Sequence, residues 1–439
     1  MKKKSTKILI IALAVALAVG GAAAYFLLRD KPVPVNYADM PADLLAAAVG
    51  HDGIDESFPT DRYSLVYNNA DGTKTMYVYT HPVSYLSTDG QLHIIDNGIV
   101  PAESGWSNKA NAIKTTLERD KLSASLLEHS VTLSLPPASV AEEPNLADIK
   151  TILGNKQRAV QYALDGFTLS AYPTYLGIKC QLDLPAPSSD SLILPLQTNL
   201  EVDTQNGFYI QFLDMSYNTA ALLYQPIIKD SDGKIFRLPD GLKYADGEVT
   251  LDLLSMSAFE DITYPLSLEF TLNMYQRKQA DSCVMSGYAN DNQYLDNYLY
   301  AGYFNEMGEA ESLLRFESSL YKTIKADKVI SAEYRFSGLN SIKGNTLKLR
   351  ECDKEWASTH VTWNTRDTYD SVIGEVKSAD NNYSCDLTAL VKKWITGEMN
   401  SHWGFQITGD ESDELTEGVI FPSADNGYCS PVLVVNFEG

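Results

Sequence analysis

The sequence predicts an all-β protein: two β-sandwich-like domains follow an apolar amino-terminal segment, and one short helix interrupts the second domain. Three observations carry this. From Tyr63 to Tyr275 the dominant hydrophobic period is two, as where Val131, Leu133 and Leu135 alternate with Thr132 and Ser134, the spacing of side chains on one face of a strand. Asp-Gly pairs at 71–72, 89–90, 165–166, 232–233 and 240–241 punctuate the strand-like runs, and such pairs supply the backbone conformations tight turns need. Beyond residue 60 a helical period appears only late, over residues 387–395. Many short strands broken by turns build a sandwich or a barrel.

The chain opens on Lys2, Lys3, Lys4 and Lys7, after which Ile8 to Leu28 runs for 21 residues without a charged side chain. As a helix that run spans roughly 31 Å, matching a hydrocarbon core of about 30 Å. Ala22-Ala23-Ala24 also offers a small-residue exit for a cleaved signal peptide. Tyr25 to Leu28 prolongs the apolar run to spanning length, which favours a retained anchor over a cleaved signal. The lysines ahead of it place the amino end in the cytoplasm and the rest of the chain outside, tethered or secreted. Residues 1–29 are thus expected to be signal or anchor. Residues 30–60, with Pro32, Pro34, Pro41 and Pro59 and one short helical signal from Asp39 to Gly50, are expected to be a spacer.

The roughly 400 residues that follow exceed the about 250–300 that one core supports, so two domains are expected, 61–279 and 280–439. In the first, Ser64 to Asn68 and Thr75 to Tyr79 flank Asp71-Gly72 and predict a hairpin. The more polar interval Leu135 to Gln157, with Pro136-Pro137 and Glu142-Glu143-Pro144, predicts a loop or insertion. Asp230-Ser-Asp232-Gly233 has the opening of a calcium loop without its sixth-position glycine or distal Glu, so it predicts a hairpin turn. In the second domain Leu387, Leu390, Val391, Trp394 and Ile395 form one apolar stripe along a two-turn helix. Asp386 is placed to cap that helix and Gly397 to end it.

The 35 Lys and Arg stand against 57 Asp and Glu, a net charge of −22. Residues 281–439 hold 13 basic and 25 acidic side chains, a net −12, which excludes nucleic acid as a partner class because phosphate binding rests on clustered cations. Five cysteines lie far apart with no C-x-x-C pair and no His at metal spacing, so zinc is not indicated. Cys352, Cys385 and Cys429 leave open either one disulfide or buried single thiols. There is no G-x-S-x-G elbow, phosphate loop or H-E-x-x-H, and the six histidines are scattered, so no catalytic constellation or cofactor is predicted, and calcium at a loop of the last domain is left open without a motif to support it. A carboxylate pair defined only in space keeps an unrecognised polysaccharide hydrolase or lyase as an alternative.

A set of short motifs occurs in a characteristic order from Asp281 to Phe437: Leu313-Leu-Arg315-Phe316, Ile330-Ser-Ala332, Trp356, Val361-Thr362-Trp363, Cys385 to Trp394 with Gly397 and Asn400, Gly404-Phe405, Phe421-Pro-Ser423, and Pro431-Val-Leu-Val. This stretch resembles the DNRLRE domain, a β-sandwich of bacterial and archaeal surface proteins related to carbohydrate-binding modules, some of which bind alginate. Upstream, Pro82-Val-Ser-Tyr85, Ile94-Ile-Asp96, Pro226 to Gly233 and Tyr264-Pro265-Leu266 resemble the β-rich segment that precedes such domains in wall-associated and YD-repeat proteins.

The resemblance implies a non-catalytic cell-surface protein whose last domain binds extracellular or cell-wall polysaccharide, or alternatively a wall-associated or adhesion scaffold with no soluble glycan ligand. A sugar site stacks an aromatic face on a pyranose while planar polar groups read its hydroxyls. Tyr294, Tyr298 and Tyr300, in a tyrosine-dense stretch, and Trp403 are the candidate ligand-binding residues. Trp356, Trp363 and Trp394 are expected in the core, and Arg315 is expected against a partly buried carboxylate. Lys348 and Arg350 alternate with Leu347 and Leu349, which sets both on one solvated strand face. Without a local basic patch, the acidity argues against a uronate polymer.

Overall fold

The computed structural model describes residues 50–439 apart from 56, 59–60, 89, 137–142, 165, 189–190, 206, 239–240, 254–261, 276–279, 306, 317–322, 341–346, 370, 380, 398–402 and 410–417. The apolar leader and the helical signal that begins at Asp39 lie outside the described residues. Among the described residues no helix is long and apolar enough to cross a membrane. They form 32 strands and a single α-helix, the all-β architecture that the period of two predicts.

Two antiparallel sheets make the first sandwich. One runs across eight strands from Leu242–Ala245 to Asp96–Ala102, the other from Asn145–Lys150 to Glu201–Asp203 with Ile235–Arg237 added beside Thr219–Lys229. Leu122, Ala124, Val131 and Leu133 of the former meet Leu169, Leu182, Leu268 and Phe270 of the latter in one buried cluster. Each such side chain removed from water stabilises the fold by about 1.5–3 kcal/mol. Asn145–Lys150 corrects the loop expected over 135–157: all six residues pair with Lys156–Leu164. Leu146 and Ile149 supply its apolar content, and the flanking prolines obscure so short a run. At Asp230 the carboxylate Oδ1 accepts the N–H groups of Asp232 (3.0 Å) and Lys234 (2.8 Å), closing the expected turn.

The third sheet joins strands from residues 53–79 to strands from residues 280–438. Its order is Gly53–Ile54, Ser64–Asn68, Thr73–Tyr79, Val432–Glu438, Val329–Ser337, Asn382–Asp386, Val372–Ala379, Leu347–Glu351, Phe405–Thr408, Gly308–Arg315, Tyr298–Phe304 and Val419–Pro422, with Ala280–Met285 on the free side of Gly308–Arg315. Every residue of Thr73–Tyr79 pairs with Val432–Glu438, from Thr73 opposite Glu438 to Tyr79 opposite Val432. Val372–Ala379 pairs through its first half with Leu347–Glu351 and through its second half with Asn382–Asp386. The sheet therefore curls back around a core that joins Val66, Met76 and Val78 to Leu314, Tyr334, Leu349, Phe405 and Val435.

Local signals explain the rest. Gly72 adopts φ 84° and Asp71 accepts from the Thr73 N–H at 2.9 Å, the turn chemistry of the predicted hairpin. The helix spans Thr388–Thr396 with Leu390, Val391 and Trp394 buried, and Gly397 ends it at φ 68°. Leu387 holds the cap position; Asp386, one residue earlier, still accepts from the Thr388 N–H (2.8 Å) and hydroxyl (2.6 Å). None of the five cysteines forms a disulfide, and four of them are buried.

Candidate functional site on the outward face of the carboxyl-terminal sheet

Tyr298 and Tyr300, expected to meet a ligand, are 2 % and 1 % exposed, and their hydroxyls turn to the first sandwich. Their strand is covered on one side by its own core and on the other by the first sandwich. Tyr298 Oη donates to Glu269 Oε1 (2.7 Å), which also accepts from Lys179 Nζ (2.5 Å). Arg237 clasps both oxygens of Asp296 (2.7 and 3.0 Å) and donates to Tyr300 Oη (2.7 Å). These side chains fix one unit against the other. Tyr294 is partly buried against Tyr209, Tyr224 and Leu295 at the edge of the same seam.

Trp403 is partly buried elsewhere, beside a cluster of Val284, Leu313, Cys352, Trp356, Val361 and Tyr369 on the outer side of the curled sheet. Its carbonyl accepts from Trp356 Nε1 at 2.6 Å. The Arg315 guanidinium lies over the Trp356 and Trp403 rings at 5.8 and 6.0 Å. Trp356 and Trp394 are buried as expected, while Trp363 is partly exposed.

Alternation sets a row of polar groups next to this cluster. Leu347, Leu349, Phe405 and Ile407 point into the core, so Lys348, Arg350, Gln406 and Thr408 point outward. Lys348 sits opposite Thr408, and Arg350 opposite Gln406, which is opposite Leu313. Gln406 is 3 % exposed and donates to Glu311 Oε2 at 2.7 Å. Arg366 reaches the same carboxylate at 2.7 and 3.4 Å, donates to the Trp363 carbonyl at 2.7 Å, and stacks on the Trp363 ring at 3.4 Å. Burial pushes the Glu311 carboxyl above its ordinary range, and the Arg366 hydrogen bond acts against that push. Arg350 donates to the Tyr369 carbonyl at 3.1 Å. Thr408 Oγ1 is buried with no partner.

Such a face combines planar amide, guanidinium and carboxylate groups with indole rings, the chemistry that reads sugar hydroxyls and apolar ring faces. Four cations, Arg315, Lys348, Arg350 and Arg366, gather there on an otherwise acidic domain. Among the described residues no group of three or more His, Cys, Asp or Glu is placed to hold a metal. Glu311, Arg366, Gln406 and Thr408 were not singled out from the sequence. The alternation of Gln406 and Thr408 with Phe405 and Ile407 was visible, but their meeting with residues 311 and 366 depends on the tertiary pairing.

Residues 273–437 match the model of carbohydrate-binding module family 96. The match contains the outward face just described and nearly all of the third sheet except Gly53–Ile54, Ser64–Asn68 and Thr73–Tyr79. This stretch is a carbohydrate-binding-module-like domain, a class that binds sugars without transforming them. No curated protein matches the chain.

Proposed function

We propose that the protein is an exported, non-catalytic cell-surface protein that binds extracellular polysaccharide through the outward face formed by Glu311, Arg366, Gln406, Thr408 and Trp363. The single observation that carries the reading is that the hydrogen-bonded Glu311, Arg366 and Gln406, beside indole rings, lie inside the stretch that matches a carbohydrate-binding family. Export and tethering rest on the sequence from Ile8 to Leu28, and the resemblance of the last domain to DNRLRE modules of surface proteins agrees with them. The division into two β domains, 61–279 and 280–439, belongs to the same proposal, with Ser64–Asn68 and Thr73–Tyr79 joining the sheet of the second.

A specific observation supports a second reading as a scaffold. Arginines already lie over the Trp363, Trp356 and Trp403 rings, and buried polar groups pin the sheets together, as a structural wall component would require. Polysaccharide affinity gels and a glycan array on the full chain, with reducing-end release assayed alongside, decide among the readings. Retention without cleavage, weakened about three- to tenfold by Gln406→Ala through loss of one neutral hydrogen bond, supports binding at this face. Retention on no polymer leaves the scaffold, and release of reducing ends would establish an enzyme.

A further inference from the structure

The seam between the sandwich and the curled sheet concentrates buried polar atoms that lack a partner. Tyr224 Oη, Thr271 Oγ1, Asn273 Oδ1 and Asn426 Oδ1 are all in this condition, on residues 1 %, 0 %, 3 % and 0 % exposed. Each such atom calls for a partner that the described residues do not supply. They are contiguous. Tyr209, Tyr224, Thr271 and Lys179 occupy one row across four neighbouring strands. Asn273 donates through its Nδ2 to the Asp425 carbonyl across the seam, and Asn426 donates to the Asn297 carbonyl at 3.1 Å. Burial first, and then the Asp425 and Asp296 carboxylates, push the Tyr224 phenol upward.

Aromatic rings wall the same place. Tyr209 and Tyr224 meet edge to face at 6.3 Å, and Phe208 and Tyr288 meet across the seam at 5.5 Å. Phe208, Tyr275, Tyr288 and Tyr294 are each partly exposed, so the aromatic lining reaches solvent.

We propose that this seam is a second binding site, for a neutral, hydroxyl-rich sugar unit. The proposal deepens the carbohydrate reading and rests on it. Three features choose the ligand class. Two of the orphans are amide oxygens that only accept and two are hydroxyls that do both, so the ligand must offer groups that donate and accept, as sugar hydroxyls do. The aromatic wall suits the apolar face of a sugar ring. The seam cations Lys179 and Arg237 are already closed on Glu269 and Asp296, and Asp425 adds negative charge, so a carboxylate-bearing sugar is repelled.

The test uses the full chain, titrated calorimetrically with manno-, xylo- and cello-oligosaccharides and with an oligouronate, while tryptophan emission is followed. Trp356, Trp363 and Trp403 report on the outward face, and the seam holds no tryptophan. The expected result is that a neutral probe binds without changing tryptophan emission, and that Tyr224→Phe and Thr271→Val each weaken it about three- to tenfold. Unchanged affinity together with a raised melting temperature in both variants means that the orphans met only water, which overturns the inference. Binding that shifts tryptophan emission and is lost in Trp363→Ala alone sinks the seam site and leaves the carbohydrate reading standing. No binding of any probe sinks both.

Discussion

Removing the ammonium group of Lys179 isolates the contribution of the buried pair at the seam. Lys179 and Glu269 are 0 % and 2 % exposed and 2.5 Å apart. Breaking one member of such a pair costs about 3–5 kcal/mol, because the remaining charge stays buried. In Lys179→Met, Glu269 keeps its hydrogen bond from Tyr298 Oη at 2.7 Å, so the lower end, about 3 kcal/mol, is expected. For a unit of about 200 residues that lowers the midpoint by roughly 6–12 °C. Differential scanning calorimetry at pH 7 measures it, with the double variant Lys179→Met/Glu269→Met alongside. The double variant should recover half or more of the loss, since an apolar pair of similar volume is often neutral in such a site. A loss below about 1 kcal/mol in the single variant, the size seen for exposed pairs, would refute the burial of this pair.

Three further outcomes are expected. Burial holds His81 down to about 3 from its ordinary 6.5; the unfolded chain therefore binds more protons between those values, and stability that is complete above pH 6.5 falls by about 2 kcal/mol at pH 5. Melting temperatures against pH should show that slope in the wild type and lose it in His81→Leu; parallel slopes would mean that the imidazole is protonated within the fold. A fragment of residues 273–439 lacks Thr73–Tyr79 and leaves Val432–Glu438 as an unpaired apolar edge, so size-exclusion chromatography should show it self-associating while the same fragment co-expressed with residues 50–95 runs as one species; a monomeric fragment would contradict the shared sheet. Gly404→Ala places a Cβ 2.0 Å from the Leu314 carbonyl at φ +88° and should cost at least about 2 kcal/mol in urea unfolding, whereas a loss under about 1 kcal/mol would show that the two strands separate there without penalty.

Features whose causes are local were legible in the sequence. The Asp71-Gly72 hairpin, the stripe from Leu387 to Ile395 and the alternation of Lys348 and Arg350 each follow from a few consecutive residues, and each appears in the structure. Tyr298 and Tyr300 gave no sign of their burial, because a strand with one wet face and a strand sandwiched between two units share the same tyrosine-rich composition. What distinguishes them is Glu269 and Arg237, tens of residues away, meeting Tyr298 and Tyr300. The outward face was half visible for the same reason: Gln406 and Thr408 show their direction by alternation, but nothing near them in sequence announces Glu311 or Arg366. Pairing of Thr73–Tyr79 with Val432–Glu438 leaves no local trace at all, since either strand would suit many partners.

That last pairing also sets a timetable. Thr75 bonds to Asn436 across 361 positions of sequence, so the early hairpin is made long before its neighbour exists. At a synthesis rate of about 5–20 residues per second, the roughly 350 residues between the two strands take on the order of 20–70 s to appear. Throughout that interval Met76 and Val78 have no core to enter, and one edge of Thr73–Tyr79 presents a full row of unpaired backbone groups. The first sandwich can close meanwhile, its strands being near neighbours in sequence, but the curled sheet must wait for the final eight residues. Ribosome stalling or proteolysis ahead of Val432–Glu438 would thus leave one edge of the early hairpin without its neighbour.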